Sequence, residues 1–167
     1  MKVKIVKFEK PSEIERLCEL VFKSLEEDEI AFYNEFDQEY SAKISDFENL
    51  NADFLSAGVE RGFISIYVLM SGEYIIGGLA VNSKEEILFL FSGIKPMREE
   101  IYLLLFRNFV LNVLEKNKED EVIYSYVPLS NVEHFIKLGF KKAGSVEKNH
   151  NSKHNSIKMT YTISNQN

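Results

Sequence analysis

Two tyrosines flank one serine in the run Val122-Ile123-Tyr124-Ser125-Tyr126-Val127. Side chains alternate along a strand, so the hydroxyls of Tyr124 and Tyr126 would share one sheet face. A positioned phenol can hand a proton to a departing anion, and the plainer use of such a pair is aromatic packing. His134 follows a few residues later, as a cleft residue or a surface one. His150 and His154 have the His-x-x-x-His spacing, which converges on one metal ion only in a helix. Their surroundings are polar and rich in Asn, a hairpin loop in character, so no metal is expected. Cys18 lies on the apolar side of a helical pattern with no histidine near it in sequence, which fits a small core residue better than a nucleophile. The chain holds no Gly-x-Ser-x-Gly elbow, no Walker loop and no dinucleotide fingerprint.

The elements that must position these groups follow from local pattern. The β-branched and aromatic residues 122–127 predict a strand. Pro128 ends it, because proline lacks a backbone donor and forces Val127 into extended geometry. A short helix follows, with Ser130 or Asn131 as its cap, Phe135 and Leu138 on its apolar side, and Gly139 at a left-handed C-terminal position. A second strand then starts at Phe140. Upstream, residues 2–8 read as a first strand, and Ser12-Glu13-Ile14-Glu15 after Pro11 has the form of a capping box. Ile14, Leu17, Cys18, Val21 and Leu25 give the helix it opens one apolar face. A second amphipathic helix is carried by Phe36, Tyr40, Ile44 and Phe47, continued less regularly by Leu50, Phe54 and Leu55.

Residues 63–70, 74–81 and 87–91 are strand runs joined by short turns, an antiparallel meander. The bare pair Gly77-Gly78 suggests a bulge or a close backbone approach. A helix over 101–116 carries a wide apolar stripe of Tyr102, Leu103, Phe106, Phe109, Val110, Val113 and Leu114. Residues 142–148 and 157–164 read as the last strands.

Composition sets the outer bounds. A chain of 167 residues, 45% hydrophobic, can bury one good core, so a single domain over 1–167 is expected. The net charge of −6 argues against a general nucleic-acid binder. One cysteine excludes an intrachain disulfide and points to a reducing, cytoplasmic setting. The opening residues carry no apolar signal core, and no run of about eighteen apolar residues exists to span a membrane. Seven acids and no Lys or Arg fall within 26–39, a solvated helix end or an acidic wall that attracts a cationic amine. Exposed strand edges leave a monomer or a homodimer open.

The phrase Phe135-Ile136-Lys137-Leu138-Gly139-Phe140 resembles the "[aromatic]-x-Lys-Leu-Gly-Phe" signature of the GNAT superfamily of N-acetyltransferases. The element order β-α-α-β-β-β-α-β-α-β-β resembles that family from end to end. The resemblance implies an α/β (α+β) fold, a mixed, twisted sheet of six to seven strands with helices on both faces. It also implies transfer of an acetyl group from acetyl-CoA to a primary amine of a small molecule. In that family the fourth and fifth strands splay apart, the pantetheine arm lies in the gap, and the pyrophosphate rests on the next helix N-terminus.

Carried onto this chain, the resemblance implies a cofactor site of Ser92, Gly93, Ile94, Arg98, Glu99, Glu100, Phe135 and Lys137. The turn 94–102 keeps the "[Val/Ile]-x-Pro" entry and Arg98 but has Glu99-Glu100 where the family has glycines. These acids satisfy the helix amides themselves or point away. Ser92 and Gly93 offer backbone groups to the pantetheine and an oxyanion amide. Phe135 stands where the family often has its proton-donating tyrosine, so that role is either absent or moved, with Tyr124 and Tyr126 as the candidates to take it. Glu86, at the start of the fourth strand, stands where some members have a carboxylate base. The glycine-free turn and Phe135 favour an alternative, a GNAT-like ligand-binding or interaction module without catalysis.

Overall fold

The computed structural model describes residues 2–25, 50–115, 121–144, 147–148 and 155–163. β1 (Lys4–Lys7) leads into α1 (Pro11–Ser24), and α2 (Ala52–Glu60) precedes the meander β2 (Ile64–Ser71), β3 (Tyr74–Asn82) and β4 (Ile87–Ser92). A 3-10 turn, Lys95–Met97, opens α3 (Arg98–Glu115). Then come β5 (Val122–Pro128), a 3-10 turn at Leu129–Asn131, α4 (Val132–Leu138), the two-residue strands β6 (Lys141–Lys142) and β7 (Glu147–Lys148), and β8 (Asn155–Thr162). The acidic run 26–39, the helix pattern over 36–47, and His150 and His154 lie outside the described residues.

Two four-stranded sheets result, one ordered β1-β2-β3-β4 and the other β5-β8-β6 with β7 also on β8. Every ladder in them is antiparallel. A parallel bridge, Glu86 with Tyr124, joins them. Helices cover both faces, as expected for this α/β class. Ile14, Leu17, Cys18 and Val21 of α1 and Leu55 of α2 pack with Ile66, Val68, Phe89 and Phe91 on one side. Ile101, Leu105, Phe106 and Phe109 of α3 and Phe135 of α4 pack with Leu79, Ile87, Ile123 and Val127 on the other. Cys18 is fully buried, and burial pushes its thiol up to about 12, which makes it a core residue. Among the described residues no helix is long and apolar enough to cross a membrane.

The glycine pair brings the layers together. A Cβ on Gly77 would come within 2.4 Å of Ile101 on α3, and one on Gly78 within 3.1 Å of Leu17 on α1. The bulge is present as well, since the β2–β3 register shifts between Leu69 and Met70 opposite the same stretch.

Local starts and stops differ from the sequence pattern in four places. Pro11 takes the first position of α1 and Lys10 precedes it without a side-chain cap, so Ser12 lies inside the helix and no capping box forms. Asn131 stands at the N-cap of α4 but makes no cap bond through its side chain, and a 3-10 turn leads into the helix. α3 begins at Arg98 rather than Ile101, continuing directly from the turn at Pro96. The strand expected over 142–148 is two dipeptides on β8, on either side of Gly144, whose φ is 137°.

The Lys-Leu-Gly-Phe phrase acts as a helix stop. Gly139 sits at φ 103°, its N–H donates to Ile136 O, and the Phe140 N–H donates to Phe135 O. That is a Schellman motif, and its usual apolar contact is Phe135 on Phe140, with ring centroids 5.1 Å apart.

Candidate active site

β4 and β5 lie side by side for one rung only. The Tyr124 N–H donates to Glu85 O at 3.1 Å, and the Ser125 hydroxyl donates to Ile87 O at 3.1 Å. Beyond that point β4 bulges at Leu88, where the register jumps from Val81–Ile87 to Ala80–Phe89. A bulge bends its strand and sharpens its twist, so β4 leaves β5 at its second residue. The two strands form a wedge closed at Glu86 and Tyr124 and open toward Ser92 and Pro128.

Backbone groups line that wedge. The Gly93 N–H donates to Ile76 O at 2.9 Å. Groups alternate in direction along an antiparallel strand, so Leu90 and Ser92 turn theirs to the β5 side. The Ile163 N–H donates to Glu121 O, and the β5–β8 register then turns Tyr124 and Tyr126 toward β4. The Gly93 amide, expected to serve an oxyanion, is therefore committed to β3. The Ser92 side chain is buried and bonds both ways with the Ile94 backbone, which holds the turn into α3.

Glu86, Tyr124 and Tyr126 come together at the closed end. Glu86 and Tyr124 are bridge partners, and the tyrosine rings meet edge to face at 6.2 Å. Both rings stand on the face opposite Ile123 and Val127, as alternation predicts. Burial lifts the Glu86 carboxyl above the usual glutamate value, against the pull of Lys84 and Lys158. Burial, then Glu86, then Tyr126 raise the Tyr124 phenol. Lys158 Nζ lies 4.9 Å from the Tyr124 ring centroid, within cation–π reach. Asn82 builds the turn beneath, its Oδ1 accepting from the N–H groups of Lys84 and Glu86. That grip holds Glu85 at φ 62°, a strained geometry that aims its carbonyl at Tyr124.

At the open end, Arg98 Nη1 is 3.2 Å from His134 Nε2, and the Tyr102 ring meets His134 edge-on. Burial, then Arg98, lowers the His134 pKa, so the neutral ring is favoured. Lys137 Nζ donates to Glu99 Oε1. Glu99 is thus turned toward α4, one of the two outcomes anticipated for it, while Glu100 is exposed. Ile94 is half-buried at the turn. The Phe135 ring is 4% exposed, packed in the core and against Phe140 at the α4 stop.

Sequence reasoning overlooked Ser125, Lys158 and Asn82 as site residues. Ser125 had a signal, being a polar residue on the inward side of a strand between Ile123 and Val127, which demands a partner. Lys158 needed the β5–β8 register, which pairs it with Tyr126.

This arrangement is the acetyltransferase fold of the GNAT kind, as solved structures show. One is a PaiA N-acetyltransferase from Thermoplasma acidophilum in complex with coenzyme A, 17% identical, with 98% of this chain and 100% of that one covered at TM-score 0.72. Another is a probable acetyltransferase from Staphylococcus epidermidis, 12% identical, with 98% and 100% covered at TM-score 0.69. The ribosomal-protein-S18-alanine N-acetyltransferase of Escherichia coli is 11% identical, with 99% and 97% covered at TM-score 0.66. At such identities the likeness is one of fold. No family model matches the sequence, and no curated protein does.

Proposed function

We propose that the chain is an acyl-CoA-dependent N-acetyltransferase that moves an acetyl group from acetyl-CoA to a primary amine of a small molecule. The observation that carries this is the wedge: β4 and β5 part after one rung and leave backbone edges facing each other. Such edges suit the amides of a pantetheine arm, much as an added strand would. Six residues of strand, about 20 Å, separate Glu86 from Ser92, which matches the reach of an extended arm. Arg98 and the N-terminus of α3 suit a diphosphate at the open end, with Glu99 drawn aside by Lys137.

In the transfer, the amine nitrogen attacks the thioester carbonyl, a C–N bond forms and the C–S bond breaks. Glu86 takes the proton from the amine, and Tyr124 or Tyr126 gives one to the leaving thiolate. The wedge-facing backbone groups of Leu90 and Ser92 suit the amides of the pantetheine arm. Seven acids within 26–39 favour a cationic acceptor.

One observation favours a second reading, a non-catalytic binding module. Both cations of the open end are engaged across the α3–α4 seam, Arg98 of α3 with His134 and Lys137 of α4 with Glu99. Calorimetry with CoA and acetyl-CoA separates the two. A dissociation constant below roughly 100 µM, about −5.5 kcal/mol, is expected for the transferase. No heat at millimolar ligand would leave the second reading standing.

A further inference from the structure

We infer that Ser125 is a positioning residue that sets how far the β4–β5 wedge closes; its bearing on acetyl transfer rests on the reading above. In a parallel ladder the N–H of residue i and the N–H two residues on donate to carbonyls two residues apart on the neighbour. The first rung is Tyr124 N–H to Glu85 O. The second would be Tyr126 N–H to Ile87 O. At that carbonyl stands the Ser125 hydroxyl, 3.1 Å away, with Ser125 at 5% and Ile87 at 3% exposure.

A buried carbonyl needs a donor, and the hydroxyl supplies one. With that need met, nothing draws the Tyr126 amide inward. A carbonyl has two lone pairs, so the hydroxyl acts together with the Leu88 bulge, which turns the strand outward immediately afterwards. The wedge then begins at Tyr126, and its N–H and C=O face the gap.

The hydroxyl is therefore placed to do what no apolar residue could. Ala at 125 would leave Ile87 O without its donor, and the nearest replacement is the Tyr126 amide. Recruiting it adds a rung and moves the closed end of the wedge outward by two residues, into the space where the thioester would lie. Thr keeps the hydroxyl.

The experiment is amide exchange by NMR on the free protein, with acetyl-CoA titration alongside, for wild type, Ser125→Ala and Ser125→Thr. Ser125→Ala is expected to slow exchange at Tyr126 about tenfold, as one added backbone hydrogen bond does. Its acetyl-CoA affinity is expected to weaken by about tenfold or more, and Ser125→Thr to stay near wild type in both. Equal Tyr126 exchange in wild type and Ser125→Ala, with both folded by circular dichroism, overturns the inference. Slowed exchange with unchanged affinity overturns its bearing on the ligand. A wild type that binds no acetyl-CoA overturns the transferase reading instead, and the exchange rates alone then decide for or against Ser125.

Discussion

Replacing Glu86 with Gln is expected to lower turnover of an amine by about 10²–10⁴-fold, the usual contribution of a positioned base, with acetyl-CoA affinity held within about twofold. Gln preserves shape, and the bridge to Tyr124 and the bond from the Glu86 N–H to Asn82 are backbone features that survive it. What disappears is the proton acceptor. Burial holds that carboxyl above the usual glutamate value while Lys84 and Lys158 pull it down. A base works only when deprotonated, so kcat/KM should fall as pH drops through this raised value. The acid limb should therefore lie at higher pH than for an exposed glutamate. Lys158→Gln removes one of the opposing cations and should move the limb higher still. Rates of thiol release across a pH series give both readings. An intact acid limb in Glu86→Gln would assign the base elsewhere.

The second large effect is on stability. Gly77→Ala should cost about 2 kcal/mol and Gly78→Ala less than about 1 kcal/mol, although both glycines sit side by side in β3. Either change gains roughly 0.4–1 kcal/mol by restricting the unfolded chain. At Gly78 the new methyl meets Leu17 Cδ1 at 3.1 Å, the far end of a flexible side chain, so little must move. At Gly77 it meets Ile101 Cγ2 at 2.4 Å and the Phe91 carbonyl at 3.1 Å. Ile101 is 1% exposed, and Phe91 belongs to the strand that pairs with β3. Relief there means shifting the start of α3, and with it Arg98. Urea denaturation measures the pair, with the Gly77→Ala midpoint lowered by about 1 M. Equal midpoints would show that α3 does not press on β3 at this point.

Much of the fold was legible because local chemistry decided it. Pro128 stopped a strand, Gly139 stopped a helix, and the Tyr124-Ser125-Tyr126 alternation put two phenols on one face. Helix starts were less legible. Pro11 and Pro96 open their helices through backbone geometry, whereas the sequence drew attention to polar caps that do not form. The site was legible where neighbours in sequence stay neighbours in space. Its remaining parts depend on contacts made across long separations, such as Ser125 with Ile87, 38 residues away. The direction of the Gly93 amide depends on register, which hydrophobic pattern alone does not fix. Phe135 was read as part of the cofactor site through family likeness, and its role in the helix stop became visible only with Phe140 packed against it.

The wedge itself is tested most directly by a crystal structure of the protein grown with millimolar CoA. Density for an extended thiol-bearing arm is expected between Leu90–Ser92 of β4 and Tyr126 of β5, its sulfur toward Glu86 and Tyr124. Strands found joined along their whole length, or CoA bound on some other surface, would contradict the assignment.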